Sequence, residues 1–143
     1  MRPYAPTMDD YLDDTDTDAA ASPRPENGRL VDPSATSGDR VYALCIHLSL
    51  LLAFAPVFPA LIMWLIRKDE SGFVDDHGRE AVNFQISLVI YYVVAGLLST
   101  VCIGFALIPA IYVLGLVGMI AAARAANRGE YYRYPMCIRL LNP

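Results

Sequence analysis

The chain alternates between polar and apolar blocks, and the lengths of the apolar blocks set the architecture. Val41–Ile66 is 26 residues without a formal charge, and Ala81–Ala123 is 43. A helix rises about 1.5 Å per residue and the hydrocarbon core of a bilayer is about 30 Å thick, so the first block fits one crossing and the second fits two. The pattern predicts an all-α integral membrane protein with three transmembrane helices, over residues 41–66, 81–102 and 105–126.

Two prolines, Pro56 and Pro59, interrupt the first apolar block. Proline lacks a backbone donor and bends a helix, and two full crossings need about 40 residues. We therefore expect one Pro-kinked span, with a re-entrant segment as the alternative. The turn between the second and third spans is expected near Cys102–Phe105, where Gly104 permits a tight backbone.

The charge is concentrated outside these blocks. Residues 1–40 hold nine acids and four arginines and are rich in small polar residues, a composition that cannot bury enough apolar surface to fold. They are predicted to be a disordered acidic tail, acting as a solubilising or an interaction segment. Residues 41–143 are the predicted helical membrane domain, with a charged loop at 67–80 and an interfacial tail at 127–143.

Composition excludes several classes of protein. The chain is 55% hydrophobic with a mean hydropathy of +0.37, has no basic stripe for nucleic acid, and has only three cysteines. Seven basic residues lie in the loop and C-terminal tail, against three close to the first span. The positive-inside rule therefore predicts a multi-pass protein of the cell membrane with loop 67–80 and the C-terminus cytoplasmic. A re-entrant first segment would place both termini inside.

Polar residues inside or beside the spans are the candidates for function, because they are costly there. They are His47, Asp75, Asp76, His77, Arg79, Glu80, Asn83, Gln85, Arg128, Glu130, Tyr131 and Tyr134. Asp75 or Asp76 is expected to cap the second span. His47 is expected to bond Ser99 or Thr100; a zinc site of Cys45, His47 and Cys102 is the incomplete alternative.

No set of nucleophile, base and orienting group can be assembled from these residues, so the protein is predicted to be non-enzymatic, without cofactor or metal. The expected partner is the lipid bilayer, with a membrane-protein partner or a second copy in addition. Small residues at four-residue spacing, Gly118, Ala122 and Ala126, favour close helix packing, first of all within the chain.

Three blocks resemble a known family: residues 64–71, residues 74–85 with the order His-Gly-x-Glu-Ala-x-Asn-Phe-Gln, and residues 128–135 with Gly-Glu-x-Tyr-x-Tyr-Pro. They are similar to a prokaryotic Tic-twenty-like family, related to the twenty-kilodalton channel subunit of the chloroplast inner-envelope import translocon. The resemblance implies a helical membrane domain in a protein translocation or transport complex. The alternatives are a membrane scaffold, or a solute or ion pathway formed by oligomers.

Overall fold

The computed structural model describes residues 29–52 and 57–141. Within them the chain forms four α-helices, which confirms the all-α class: α1 (Ser37–Leu48), α2 (Val57–Arg67), α3 (Gly72–Leu98) and α4 (Ile103–Asn127). Short 3-10 turns, Ser49–Leu51 and Ser99–Val101, follow α1 and α3. Two stretches, Gly72–Val101 and Ile103–Asn127, are long and apolar enough to cross a membrane.

The first apolar block is a hairpin of two short helices. The Tyr42 hydroxyl donates to the carbonyl of Met63 over 2.8 Å, and Arg67 pairs with Asp39 over 3.3 Å, so α1 and α2 run antiparallel. With 12 and 11 residues they reach about 18 and 16 Å, well short of a bilayer core. The predicted Pro-kinked span over 41–66 is therefore not confirmed, nor is a third crossing.

Helix α3 begins at Gly72, nine residues before the predicted start of the second span. Its N-cap is Ser71, whose hydroxyl accepts from the amide of Val74, so the expectation that Asp75 or Asp76 caps the helix was wrong. These acids lie one turn further in. A serine that accepts from an amide two or three residues on is a favoured helix start, and it extends the helix through the charged loop.

The turn between α3 and α4 lies where predicted, but Cys102 makes it. Cys102 has φ 64°, in the left-handed region, whereas Gly104 is already helical. A Cβ on Gly104 would collide with the carbonyl of Ala95 and with Ser99, so glycine is needed there for close helix packing. Helix α4 matches the predicted 105–126 within two residues at each end.

Within the described residues, most of the charged side chains outside the C-terminal stretch lie at one end of the bundle. The amide of Asp32 donates to Gly129 and the amide of Tyr131 to Leu30, both over 2.9 Å, which joins the chain before α1 to the chain after α4. We call this the charged end: residues 29–40, 67–80 and 124–130. Residues 29–36, part of the predicted disordered tail, are packed here; residues 1–28 of that tail lie outside the described residues.

Residues 128–141, here called the C-terminal segment, run along α3 without forming a helix. Gly129, at φ 74°, ends α4, and Met136, at φ 58°, reverses the segment where the Tyr91 hydroxyl donates to its carbonyl. The segment then returns toward Asn83. The C-terminal segment therefore packs against the bundle along α3.

The core between α3, α4 and the C-terminal segment is made of aromatic and small side chains. The rings of Phe84 and Tyr134 stack at 3.8 Å, and a Cβ on Gly118 would lie 2.9 Å from Phe84 Cζ. Ala122 is fully buried beside them. The small-residue face of α4 is thus occupied by packing within the chain.

Candidate functional site

Two buried histidines and a tyrosine form a hydrogen-bonded chain near the charged end. His47 Nε2 lies 2.9 Å from His77 Nδ1, His77 Nε2 lies 3.1 Å from the carbonyl oxygen of Glu130, and the Tyr134 hydroxyl lies 2.9 Å from His47 Nδ1. Both imidazoles are at most 1% exposed. Three separate parts of the chain, α1, α3 and the C-terminal segment, meet at these contacts.

For two neutral histidines, the Glu130 carbonyl oxygen at the end of this series fixes the direction of every hydrogen bond in it. A carbonyl oxygen only accepts, so His77 must carry its proton on Nε2, which leaves Nδ1 of the neutral ring as an acceptor. His47 Nε2–H then donates to His77, and Tyr134 O–H donates to His47 Nδ1. With both histidines neutral, all four ring nitrogens have a hydrogen-bond partner.

The surroundings keep these groups neutral. Burial, with the neighbouring His77, holds the pKa of His47 well below its usual range, and burial raises the pKa of the Tyr134 hydroxyl well above 10. Phe73 lies 4.4 Å from the His77 ring, and Tyr131 stacks parallel to it at 6.2 Å. The apolar surroundings therefore favour hydrogen bonds between the neutral forms of these side chains.

A row of polar side chains on α3 binds the C-terminal segment. We call it the polar stripe: Asp76, Glu80, Asn83, Ser87 and Tyr91. Spacings of three and four residues place them on one face of the helix. Each of them bonds a backbone group or an arginine of the C-terminal segment.

The two acids of the polar stripe, Asp76 and Glu80, bind two arginines and one backbone amide of the C-terminal segment. Arg133 makes a two-bond ion pair with Asp76, at 2.7 and 2.8 Å. Glu80 accepts the amide of Tyr134 over 2.9 Å and pairs with Arg139 over 3.2 Å. Both carboxylates are at most 5% exposed, so their charges are compensated by partners rather than by water.

Two uncharged members of the stripe, Asn83 and Ser87, bind backbone groups of residues 138–141. Asn83 Oδ1 accepts the amides of Leu140 and Leu141 at 3.1 and 2.9 Å, and its Nδ2 donates to the carbonyl of Leu141 at 3.0 Å. Ser87 accepts the amide of Ile138 at 2.8 Å. Non-helical backbone at membrane depth needs such partners, because lipid offers none.

The remaining predicted residues lie around this centre. Asp75 accepts from the Trp64 indole at 2.7 Å and pairs with Arg79 at 3.0 Å, which ties α2 to α3. Glu130 is 3% exposed and pairs with Arg29 at 3.5 Å, while its contact with Arg128, at 3.8 Å, involves a side chain that is 61% exposed.

Gln85 lies off the polar stripe, where its Nε2 donates to Ser49 at 3.3 Å. The structure thus gathers nearly all the candidates at one site, and Arg128 is the exposed exception.

Two sequence expectations about His47 were wrong. Its partners are His77 and Tyr134, whereas Ser99 and Thr100 bond the carbonyls of Ala95 and Leu97 in their own helix. The hairpin ends before α1 can reach that depth. The zinc alternative is not met either: Cys45 and Cys102 are exposed, and the described residues contain no group of three His, Cys, Asp or Glu side chains able to hold a metal.

Sequence reasoning missed several members of the site. Ser87 and Tyr91 continue the three-and-four spacing of Asp76, Glu80 and Asn83, so the pattern contained a signal for them. Asp32, which accepts from the Tyr131 hydroxyl at 2.8 Å, lies in a segment whose composition indicated disorder. Arg133 and Arg139 lie in the predicted interfacial tail, and both pair with acids of the stripe.

Residues 38–141 match one known family, described as the magnetosome magnetite crystal formation protein family, MamF/MmsF. No curated protein and no solved structure matches the chain. The matched range includes all three sequence blocks that suggested a Tic-twenty-like family, so that assignment was wrong, and with it the support for a translocation role falls away. In the structure the second and third blocks are complementary, since residues 74–85 supply Asp76 and Glu80 of the polar stripe and residues 128–135 supply Arg133 and Tyr134, which bind them. The chain therefore belongs to the MamF/MmsF magnetosome magnetite crystal formation protein family and is a membrane protein.

Proposed function

We propose that this chain is a non-enzymatic structural protein of a mineral-forming membrane, which takes part in magnetite crystal formation as the description of its family states. It acts as a scaffold: a compact helical unit that is anchored by its apolar helices and presents a polar surface on one side. The scaffold hypothesis replaces the translocation hypothesis and keeps the partner expected from sequence, a membrane protein or a second copy.

The observation that supports this proposal most directly is the one-sided distribution of charge. No acidic or basic residue lies between Ala81 and Ala123, and the charged residues near the loops meet at the charged end. Loop residues Asp69 and Glu70 are exposed there. A protein of this form is suited to contacts at one membrane face, which is what a scaffold needs.

The use of the buried polar groups supports a structural role. The two histidines, the polar stripe and Tyr134 are engaged with one another or with backbone groups of the C-terminal segment. Such bonds fix a shape, and a fixed shape keeps the charged end in one arrangement. Catalysis is not needed to account for these residues.

The experiment is complementation in magnetosome-forming cells that lack their own family member. We expect the wild-type chain to reach the membrane around the crystal and to restore crystal size, measured by electron microscopy. Asn83→Leu, which frees the C-terminal segment, should restore less, and the matched variant Thr100→Val at the opposite end should restore fully. Normal insertion of the wild-type chain with crystals like those of the deletion strain would overturn the proposal.

We also propose that the charged end faces the cytoplasm, in keeping with the predicted location of loop 67–80. The chain supplies a control in Cys102, which is exposed at the opposite end. In membrane vesicles isolated around the crystals, whose cytoplasmic face points outward, an impermeant maleimide should label Asp69→Cys, made in a chain with the native cysteines replaced, while the vesicles are intact. A second variant that keeps Cys102 alone should be labelled only after the vesicles are opened. The reverse order would invert the assignment.

A further inference from the structure

A cavity of about 210 Å³ lies between α3, α4 and the turn that follows α1. Its walls include Leu88, Gly115 and Met119, with the partly exposed rings of Tyr92 and Tyr112 at its border. An apolar cavity of about 150 Å³ is large enough to bind benzene, so this one can hold a substituted ring. It lies in the uncharged part of the bundle, so a ligand would enter from the lipid.

One wall of the cavity carries a buried polar group that lacks a hydrogen-bond partner. Gln85 is 2% exposed, lines the cavity, and its Oε1 has no hydrogen-bond partner in the described part of the chain. A buried acceptor without a donor is costly, and native structures contain few of them. Such an atom beside an open cavity points to a ligand that supplies the donor.

The orientation of the Gln85 amide is fixed by its neighbour. The Ser49 hydroxyl donates its only proton to the carbonyl of Ile46, at 2.6 Å, so toward Gln85 it can only accept. The amide must therefore turn its NH₂ to Ser49, at 3.3 Å, and a flipped amide would set oxygen against oxygen. Oε1 is therefore left as the acceptor without a partner.

The lining decides which donor fits. A buried water needs two to four polar partners, whereas Gln85 is the one buried polar residue in the cavity lining, and Tyr92 and Tyr112 lie exposed at its edge. An apolar ring with one hydroxyl satisfies both the wall and the acceptor. We propose that the cavity binds the hydroxyl-bearing ring of a membrane-soluble phenol or quinol, which donates to Gln85 Oε1. This site is independent of the scaffold function proposed above.

The test compares two probes that differ in the donor alone, 4-propylphenol and 4-propylanisole. Full-length protein in nanodiscs of saturated phosphatidylcholine, which carries no hydroxyl group, is dialysed against each probe, with empty nanodiscs as the correction for partitioning. We expect saturable binding of the phenol, about tenfold tighter than the ether, which is the value of one hydrogen bond to a buried acceptor. Equal affinity, or no saturable binding, would overturn the proposal.

Two variants locate the site. Gln85→Leu removes the acceptor and leaves the Ser49 proton on Ile46, and it should bring the two affinities within about threefold of each other. Gly115→Leu fills the space beside Leu88, 3.3 Å from a Cβ at that position, and should abolish binding of both probes.

Gly96→Leu is the matched control, because a Cβ on Gly96 has no neighbour within 4 Å, and its binding should equal that of the wild type. Unchanged binding in Gly115→Leu would place the probe elsewhere and refute the site. Because the comparison of probes uses the wild-type chain, it decides the question even where a variant fails to fold.

Discussion

The two halves of α3 have opposite environments along one continuous helix. From Gly72 to Leu88 most side chains are buried and the polar ones bond other parts of the chain; from Val89 to Leu98 only Ala95 is buried. Beyond it, Ser99 and Thr100 bond carbonyls of their own helix. The first half organises the fold, whereas the second half is an apolar surface for lipid, so substitutions should have large effects in the first and small effects in the second.

The largest effect is expected from His77→Phe. Phenylalanine keeps a ring beside Phe73 but leaves the Nε2–H of His47 and the carbonyl of Glu130 without their partner. The free energy of unfolding should fall by about 2–4 kcal/mol, since each orphaned buried group costs about 1–3 kcal/mol. The measurement is reversible unfolding in mixed detergent micelles.

The control for that variant is Tyr112→Phe in the neighbouring helix α4, where the ring is 60% exposed. Its effect should be below about 0.5 kcal/mol. Equal losses in both variants would mean that the histidine pair does not organise the fold.

Asn83→Leu should have the next largest effect, because one amide side chain satisfies three backbone groups of residues 140 and 141. We expect a loss of about 2–3 kcal/mol and faster trypsin cleavage after Arg133, detected by mass spectrometry. Thr100→Val, which removes a hydroxyl bound only to Leu97, should change neither quantity. Protection of the C-terminal segment in Asn83→Leu would contradict its attachment by the stripe.

The sequence predicted the second half of α3 better than the first. A charge-free block of 43 residues determines two long helices and their turn, because length and hydropathy alone decide a membrane crossing. The candidate residues were chosen from the sequence because polar groups in or beside apolar segments are rare. Their partners were not found. Pairs such as Asp32 with Tyr131 or His47 with His77 depend on contacts across 99 and 30 residues, which no local pattern encodes.

The hairpin of α1 and α2 shows the same limit of prediction from local sequence patterns. A block of 26 apolar residues has the length of one crossing, so length favoured a span. Tyr42, Met63, Asp39 and Arg67 instead pair across the block and close it on itself. The decision between crossing and returning rests on these tertiary contacts and not on hydropathy.

A pair of glycines in α3 should respond in opposite directions. A Cβ on Gly78 would lie 2.6 Å from Trp64 Cγ, and the Trp64 indole is held by its bond to Asp75, so Gly78→Ala must displace α2. We expect a loss of about 1–3 kcal/mol. Gly96→Ala meets open space and should stabilise the helix by about 1 kcal/mol. The same sign for both, in thermal unfolding, would show that the two halves do not differ in packing.

The smallest effect is expected from pH, and it also belongs to the first half. Burial lowers the pKa of His47 in the folded protein, so below about pH 6.5 the unfolded chain takes up a proton that the folded chain refuses. The stability is therefore complete above that pH and decreases as the pH falls, by up to about 1.4 kcal/mol per pH unit for this group. His47→Gln does not titrate at this position and should show a shallower slope between pH 7.5 and 5.5 in the same unfolding assay. A steeper slope in the variant, or greater stability of the wild type at pH 5.5 than at 7.5, would mean that His47 is charged in the folded state. His47 Nδ1–H would then donate to the Tyr134 hydroxyl, the reverse of the direction derived above.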